Sequence, residues 1–411
     1  MPLRRVRSAL FWVHLVIGLS AGLIILLMSA TGVLLGFERQ LIAAIDGVPA
    51  VVAPVAGPLP IDSVLTAVGS ARGDVASIAL RRDSTAPVTV RFVARDRAPA
   101  LLDPYAGTLL PPRQPGKAQA FFSAVRRWHR WMGASDGALR TRLRAFTGAA
   151  NLVFLVLVLS GLWLWWPRRW SPARLRATLV PSVRHHAGRA RDFNWHNSLG
   201  FWSAVPLALI VASGAFISYQ WPGRWLDRVL GSPAERAAAT RPATAPRAGT
   251  EPRTNAEATR PDSVFAAPRS AAPIEPLLAA ARTTRPEWKT LTLTLPADAA
   301  APARATIAEG NTYRPDLRTT LVLDRSSGTV RETLAYADLS ASRRIRAWVR
   351  FGHTGEVFGI PGQLVATLVS AVGVLLVYTG FALAWRRAAA FVRRRARRAP
   401  EALAGEAVAA P

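Results

Sequence analysis

The sequence predicts an α-helical membrane protein: a four-span bundle from a duplicated two-span unit, with two small α+β domains outside the membrane. Four apolar stretches each approach or exceed the ~20 residues that a helix needs to cross a bilayer. They lie at about 9–37, 146–166, 197–221 and 361–385. The same spacing of histidine and glycine recurs in the first and third stretches, and strand-like alternation recurs in both long connections.

The chain therefore divides into membrane spans, two outer regions and cytoplasmic ends. The predicted order is a cytoplasmic tip (1–8), the first span (9–37), an outer region (38–128), a histidine-bearing segment with the second span (129–166), a cytoplasmic loop (167–192), the third span (193–221), a second outer region (222–352), a histidine-bearing segment with the fourth span (353–386) and a cytoplasmic tail (387–411). The α+β domains occupy about 58–112 and 270–335. A disordered tether is predicted at 232–268, where Pro, Ala, Thr and Arg dominate without an apolar period.

The arginines beside the short connections predict the orientation. They concentrate in the N-terminal tip, in 167–192 and in the tail, so both termini are predicted to be cytoplasmic in a bacterial inner membrane. The first span begins behind arginines, as a signal peptide does. Its apolar core is about twice a signal h-region and no A-x-A site closes it, so it is predicted to remain as an anchor.

Composition excludes several classes of site. The net charge of +27 is spread over both sides of the membrane, so nucleic acid is not a predicted partner. The chain has no cysteine, which excludes disulfides, iron–sulfur clusters, covalently attached c-type haem and thiolate zinc sites. Any metal must therefore be bound by histidine, methionine or carboxylate.

Four of the six histidines occupy equivalent positions in the two halves. The first and third spans both read H-x3-G-x13-G, with His14, Gly18 and Gly32 in one and His196, Gly200 and Gly214 in the other. The second and fourth spans each follow a histidine, His129 in RRWHRWMG and His353 in RFGHTGEVFG. Internal repetition of membrane segments commonly places the working site between the halves.

Topology sorts these histidines into two pairs. His14 and His196 both lie near the cytoplasmic starts of their spans and form the inner pair. His129 and His353 both precede spans that start outside and form the outer pair, at or above the membrane interface. His185 and His186 lie in the arginine-rich cytoplasmic loop, where solvated loop residues are expected.

The inner pair suggests haem. Gly18 and Gly200 follow their histidines by one helical turn, on the same face, and would let a flat macrocycle lie against the backbone. Close helix packing explains such glycines but not an intramembrane histidine, which is costly and usually functional. A proton relay is a further alternative. Two imidazoles satisfy the axial positions of a haem iron, whereas zinc takes four ligands.

The outer pair is predicted to hold a second haem. Tryptophans and arginines surround it in sequence, as in a membrane-interface belt, but aromatic walls and guanidinium groups also suit a macrocycle with two propionates. Arg350 and Glu356 lie beside His353 in sequence. Arg350 is a candidate to bind a propionate, and Glu356 a candidate to orient the imidazole. The predicted cofactors are therefore two bis-histidine b-type haems.

In combination the motifs resemble the PepSY-associated transmembrane family over nearly the whole chain. They are H-x3-G on the first span, the D-P-Y-x-G turn, H-R before the second span, L-x-L-W-W-P-R-R closing it, and H-T-G-x-x-F-G-x-P-G before the fourth. The family includes FoxB-type inner-membrane ferrisiderophore reductases, with four spans, two periplasmic PepSY-like domains and two histidine-bound haems. The resemblance assigns those haems to the same four histidines. The polar stretch RWMGASDGALRTRL departs from the leucine-rich segment usual at that place.

The predicted function is that of a membrane haem-dependent ferric siderophore reductase in iron uptake. No G-x-G-x-x-G follows a strand, so the electron donor is expected to be quinol or a separate cytoplasmic reductase. Membrane lipid and a ferric siderophore are the expected partners. The alternative is a non-enzymatic, membrane-anchored PepSY protein that binds or restrains a periplasmic partner. A proton-coupled transporter is less favoured because no carboxylate lies inside an apolar stretch; Glu38 stands at the end of the first.

Overall fold

The computed structural model describes residues 2–55, 57–67, 75–94, 98–111, 114–167, 171–182, 188–240, 273–296, 298 and 300–408. It contains two compact units. The helical unit comprises Met1–Glu38, Phe122–Pro222 and Gly352–Pro411, and the sheet unit comprises Arg39–Phe121 and Gly223–Phe351. Each unit is assembled from segments distant in sequence, because each long connection leaves the helical unit and returns to it.

Four helices of the helical unit are long and apolar enough to cross a membrane. They are α1 (Pro2–Leu35), α5 (Gly137–Trp165), α7 (Arg189–Ser218) and α12 (Gly359–Val408). This confirms the four predicted spans. Helix α1 packs against α5 and α12, and α7 packs against the same two helices, so α1 and α7 occupy opposite corners of the bundle.

The bundle buries polar side chains and exposes apolar ones, as a lipid-facing structure requires. Leu23, Val205 and Trp385 are exposed, whereas Asn151 and Thr379 are buried. The Asn151 amide donates to the carbonyl of Val211 at 2.6 Å, which links α5 to α7. This buried polar group therefore has its partner on a neighbouring helix, whereas the buried Ser203 hydroxyl of α7 has none among the described residues.

Shorter helices flank the spans. They are α2 (Glu38–Asp46), α3 (Ile61–Ala67), α4 (Lys117–Trp131), α6 (Pro172–Leu179), α8 (Trp221–Leu230), α9 (Pro233–Thr240), α10 (Glu275–Thr284) and α11 (Ala341–His353). The chain reverses between α4 and α5, in the polar stretch after His129. Met132 and Gly133 have φ of 50° and 85°, and Asp136 caps α5 by accepting from the Leu139 N–H at 2.7 Å. The polar composition of this stretch is therefore that of a turn and a helix cap.

The sheet unit is built on one antiparallel sheet of eight strands. They are β1 (Val75–Arg81), β2 (Val88–Phe92), β3 (Ala100–Asp103), β4 (Thr108–Leu109), β5 (Thr290–Thr294), β6 (Ala303–Ala308), β7 (Arg318–Leu323) and β8 (Val330–Ala335). Their order across the sheet is β4-β3-β2-β1-β5-β6-β7-β8. Alternate residues such as Ile78, Leu291 and Leu293 are buried against α3 and α10, which gives the sheet one apolar face.

Each predicted α+β stretch contributes one helix and four strands, and the two sets join in a shared sheet. Strand β1 pairs with β5, with Ile78 opposite Leu293. This pairing gives β1 and β5 a partner on each side, so neither is left as an exposed edge. Sequence patterning predicted the strands but not this pairing between the two long connections.

Both D-x3-G-T stretches form the predicted hairpin turns. Gly107 and Gly328 have φ of 68° and 72°, the left-handed conformation that glycine adopts without steric cost. Asp324 accepts hydrogen bonds from the Ser326 hydroxyl and from the N–H groups of Ser326 and Ser327. The bond from the Ser326 hydroxyl, together with the others, holds the pKa of the Asp324 carboxyl well below its usual range.

The predicted tether at 232–268 is wrong at its beginning. Helix α9 covers Pro233–Thr240, where the Ser232 side chain accepts from the Glu235 N–H at 3.4 Å and the Glu235 carboxylate accepts from the Ser232 N–H at 2.7 Å. This is a capping box, a helix-start signal that the surrounding Pro, Ala and Thr concealed. The rest of the predicted tether lies outside the described residues.

Candidate metal centres

Two pairs of imidazoles face each other in the helical unit. His14 on α1 and His196 on α7 have ring centroids 6.5 Å apart at an interplanar angle of 87°. His129 at the end of α4 and His353 at the end of α11 also have centroids 6.5 Å apart, at 61°. The structure thus brings together the inner and outer pairs that the sequence predicted from depth.

Every imidazole is held at Nδ1 by a serine or threonine hydroxyl from another helix. The Nδ1–Oγ distances are 2.8 Å for His14 and Ser160, 2.9 Å for His196 and Thr379, 2.9 Å for His129 and Thr31, and 2.9 Å for His353 and Ser213. Each bond fixes the plane of the ring and leaves Nε2 as the nitrogen available on its other side.

The hydrogen-bond partners indicate which nitrogen carries the proton. Each hydroxyl lies within hydrogen-bonding distance of a backbone carbonyl of its own helix, as Thr31 does of Leu27 at 2.6 Å and Ser213 does of Ile210 at 2.7 Å. A hydroxyl that donates its proton to that carbonyl accepts from Nδ1–H of the imidazole. His353 Nδ1 also lies 2.9 Å from the Ile210 carbonyl oxygen, which can only accept. This arrangement favours a proton on Nδ1 and a lone pair on Nε2.

This arrangement has the properties of a pair of axial ligands to one metal. With metal–nitrogen bonds of about 2 Å, two imidazoles on opposite sides of one ion have centroids roughly 6 Å apart. The 6.5 Å spacing of both pairs agrees with that value. Within the described residues no group of three or more His, Asp or Glu side chains forms a metal cluster. Each pair therefore offers two neutral nitrogen ligands, which fits bis-histidine haem.

Small residues leave space at each inner histidine. A Cβ on Gly161 would lie 3.4 Å from Cε1 of His14, and one on Gly380 would lie 3.6 Å from Cε1 of His196. Gly18 and Gly200, predicted from sequence to border the cofactor, have matching surroundings. A Cβ on either would lie 3.6 Å from a leucine methyl, of Leu157 and Leu376 respectively.

Sequence reasoning missed the hydroxyl partners, although they carry a signal. All four spans contain serine or threonine followed by glycine, at Thr31-Gly32, Ser160-Gly161, Ser213-Gly214 and Thr379-Gly380. The repeated H-x3-G-x13-G spacing includes Gly32 and Gly214 but does not include the hydroxyl residue before each of them. The recurring pair supplies a hydroxyl for one imidazole and a residue without a side chain next to it.

The outer pair is held near the ends of two spanning helices. Thr31 stands four residues before the end of α1, and Ser213 stands five residues before the end of α7. Because the bonds to Thr31 and Ser213 hold His129 and His353 at those levels, both imidazoles lie about one turn within the ends of these helices. The position of the outer pair at or above the membrane interface stays a prediction.

A buried carboxylate lies one turn before the inner histidine on α7. Asp192 is fully buried, and it accepts from Arg191 at 2.8 Å and from Arg386 of α12 at 3.2 Å. The two guanidinium groups compensate its charge, and the Arg386 bond ties α12 to α7 at the end where the inner pair lies. Sequence reasoning had used these arginines only to orient the chain.

The remaining predicted residues have other surroundings. Glu356 is buried and accepts from the Thr354 hydroxyl at 2.9 Å; its predicted role in orienting the His353 imidazole stays a prediction. Arg350, the predicted propionate ligand, lies in the sheet unit with its guanidinium 5.7 Å from the centroid of Phe351. His185 and His186 lie outside the described residues.

Comparison with known families now identifies the chain. A family model described as the PepSY-associated TM region matches residues 11–387. The chain belongs to this family. A comparison with curated proteins gives no match. Membership of this PepSY-associated family and the four apolar helices together make the chain a multi-pass membrane protein.

Proposed function

We propose that this chain is a di-haem b-type oxidoreductase of the bacterial inner membrane, which passes electrons outward and reduces ferric siderophores. The observation that carries the proposal is that the four imidazoles form two pairs. The ring centroids of each pair are 6.5 Å apart, and the hydroxyl bonds are made at Nδ1 rather than at Nε2. His14 and His196 would hold one haem, and His129 and His353 the other. The resemblance to FoxB-type reductases supports this assignment.

The chain's own residues prepare both sites for a metal. The four hydroxyls orient the imidazoles through Nδ1 and favour the tautomer in which Nε2 is the nitrogen left for a metal. The inner imidazoles come from α1 and α7 at opposite corners of the bundle, and the outer ones from the ends of α4 and α11; both pairs have the spacing for one ion. When bound, haem would supply reversible one-electron chemistry, with His14 and His196 holding one group and His129 and His353 the other. Such a site suits electron transfer.

The spacing along the helices supports transfer across the membrane. His14 and Thr31, the partner of His129, are seventeen positions apart on α1, and His196 and Ser213, the partner of His353, are seventeen positions apart on α7. At 1.5 Å per residue this separates the two pairs by roughly 25 Å along the helix axis, comparable to the hydrocarbon thickness. Two sites at different depths divide the barrier into shorter steps.

Orientation and partners follow from charge and chemistry. Arginines at both termini and in 167–192 favour a cytoplasmic location for those segments, and with it a periplasmic location for the sheet unit. Quinol or a cytoplasmic reductase would donate electrons at the inner pair. A ferric siderophore would accept them outside. Reduction to Fe(II) lowers the charge on the metal, which weakens its attraction to hard oxygen ligands and releases it.

Purified protein tests the haem assignment directly. We expect a red protein whose reduced-minus-oxidised visible spectrum is that of low-spin bis-histidine b-type haem, with haem extractable by acid organic solvent because the chain has no cysteine to retain it covalently. A colourless protein that remains folded after loading with haem would contradict the proposal and favour a binding or restraining role.

The hydroxyl partners give a sharper prediction. Thr31→Val removes the acceptor for Nδ1–H of His129 while keeping the side-chain volume, so the imidazole becomes a weaker donor and is less well oriented. We expect haem affinity at the outer pair to fall by roughly 10- to 100-fold. The midpoint potential of that haem should rise, because a weaker donor stabilises Fe(III) less. Redox titration of the purified protein measures both haems separately.

Thr31→Ser is the matched control. It restores the hydroxyl with less bulk and should recover both the affinity and the potential of the outer haem. The inner haem, whose histidines bond to Ser160 and Thr379, should be unchanged in either variant. Equal shifts in Thr31→Val and Thr31→Ser would show that the hydroxyl at this position does not set the affinity and potential of the outer haem.

A further inference from the structure

Two guanidinium groups in the sheet unit lie against the same aromatic ring. The Cζ atoms of Arg318, the first residue of β7, and Arg350, near the end of α11, lie 5.0 Å and 5.7 Å from the centroid of Phe351. Both are within cation–π range. Tyr313 extends the aromatic surface, with its ring centroid 5.6 Å from that of Phe351. A third cation, Arg39, lies 4.5 Å over the Tyr313 ring and donates to its hydroxyl at 2.5 Å.

Like charges gathered in this way need a compensating anion. Arg318 is partly buried, and burial, followed by repulsion from Arg350, lowers the pKa of its guanidinium. The other titratable group that acts on Arg318 is Tyr313, whose side chain is a phenol and not a carboxylate. Arg318 donates to the Thr312 carbonyl, and the contact shown for Arg350 is the one with Phe351. Neither guanidinium has a carboxylate partner among the described residues.

The neighbouring arginine shows the contrast. Arg314, four residues before Arg318, makes a bidentate ion pair with Asp316, with Nε 2.8 Å from Oδ1 and Nη2 2.5 Å from Oδ2. The pair neutralises Arg314 internally. The positive charges of Arg318 and Arg350 therefore lie beside two aromatic rings without a carboxylate partner in the described part of the chain, whereas the charge of Arg314 is compensated by Asp316.

We propose that Arg318, Arg350, Phe351 and Tyr313 form an anion site for the electron acceptor, and that this acceptor is an anionic, catecholate- or carboxylate-bearing ferric chelate. Guanidinium groups bind such oxygens by charge-assisted hydrogen bonds, and the two rings can stack on a catechol. Chelates without negative charge, such as trihydroxamates, are not favoured by this site. The identity of the ligand rests on the proposed function, whereas the anion site itself does not.

Binding without electron transfer tests the proposal. The probes are the gallium(III) tris-catecholate, which is redox-inert and anionic, and a gallium(III) trihydroxamate without negative charge. We expect the haem-loaded full-length protein to bind the first more tightly by calorimetry. Arg318→Gln and Arg350→Gln should each weaken that binding about tenfold or more, the scale of one charge-assisted hydrogen bond. Binding of the trihydroxamate should not change.

Arg314→Gln is the matched control, because it removes the same charge from an arginine that is already paired, and it should leave both affinities unchanged. Arg350→Lys, which keeps the charge on an exposed side chain, should recover part of the binding. If Arg314→Gln lost as much affinity for the tris-catecholate, the effect would be one of general surface charge and the proposal would be wrong. The proposal would also be wrong if the unaltered protein bound both chelates equally well.

Another outcome would reassign the two arginines. If Arg318→Gln and Arg350→Gln left chelate binding intact but shifted the potential of one haem, the anion they bind would be a haem propionate, and the proposal would be wrong. The proposed function fails separately, if the purified protein holds no haem. A chelate-binding protein without haem and a haem protein indifferent to these arginines are therefore distinguishable results.

Discussion

His14→Ala and His196→Ala should each abolish the same haem and leave the other. Both residues supply one nitrogen to the inner site, with centroids 6.5 Å apart, so removal of either destroys bis-histidine ligation there. Each single variant should retain about half of the bound haem, and the double variant should lose no more. The measurement is haem content per protein together with redox titration of the purified variants.

His129→Ala and His353→Ala should form the complementary pair, with the other haem lost in each. His185→Ala, a histidine outside both pairs, is the control and should keep the full haem content. If His14→Ala and His196→Ala removed different haems, the pairing in the bundle would not be the pairing of ligands, and both sites would have to be reassigned.

Sequence predicted the spans and the pairs because both depend on periodicities that a single chain displays. An apolar stretch of ~20 residues has few structural alternatives. Equivalent positions in alternating spans place His14 with His196 and His129 with His353 before any packing is known. Topology alone restricts which side chains share a depth.

Contacts between helices were beyond that reasoning. The bond from Ser160 to His14 joins residues 146 positions apart, and nothing in either local stretch specifies it. The repeated Ser/Thr-Gly pair indicates this hydrogen bond only when a partner for Nδ1 of each imidazole is sought among the spans. The level of the outer pair along the bundle was likewise beyond the sequence. His129 and His353 are held near the ends of α1 and α7, whereas the sequence offered only the distance to their own spans.

The sheet shows the same limit. The alternation of apolar and polar residues predicted each strand separately. It does not specify that β1 pairs with β5, because the edge of each strand could also have paired with a different strand. The pairing joins the edge of β1 to the edge of β5 in one sheet, so neither edge is left unpaired. The two helical halves have matched contacts: α1 and α7 carry the hydroxyl and glycine contacts at equivalent positions.

His353→Ala should separate reduction of the protein from its discharge. The variant loses one ligand of the outer site but keeps His14, His196 and their hydroxyl partners, so the inner haem should remain low-spin and should still be reduced in membranes supplied with quinol. Added ferric siderophore should then fail to reoxidise it, because the outer site that faces the acceptor is gone. Stopped-flow absorbance of the b-type band follows both phases, and the reoxidation rate should fall by at least about 100-fold, as expected when a whole electron-transfer site is removed.

Glu356→Gln is the graded comparison for this experiment. Glu356 is buried next to the Thr354 hydroxyl and three residues from His353, so its replacement perturbs the surroundings while the ligand remains. It should slow reoxidation without abolishing it, since neighbouring groups tune a site that its ligands create. His185→Ala should reoxidise at the unaltered rate. Rapid reoxidation of His353→Ala by the siderophore would remove the outer pair from the route of electrons, and the reductase function would fall with it.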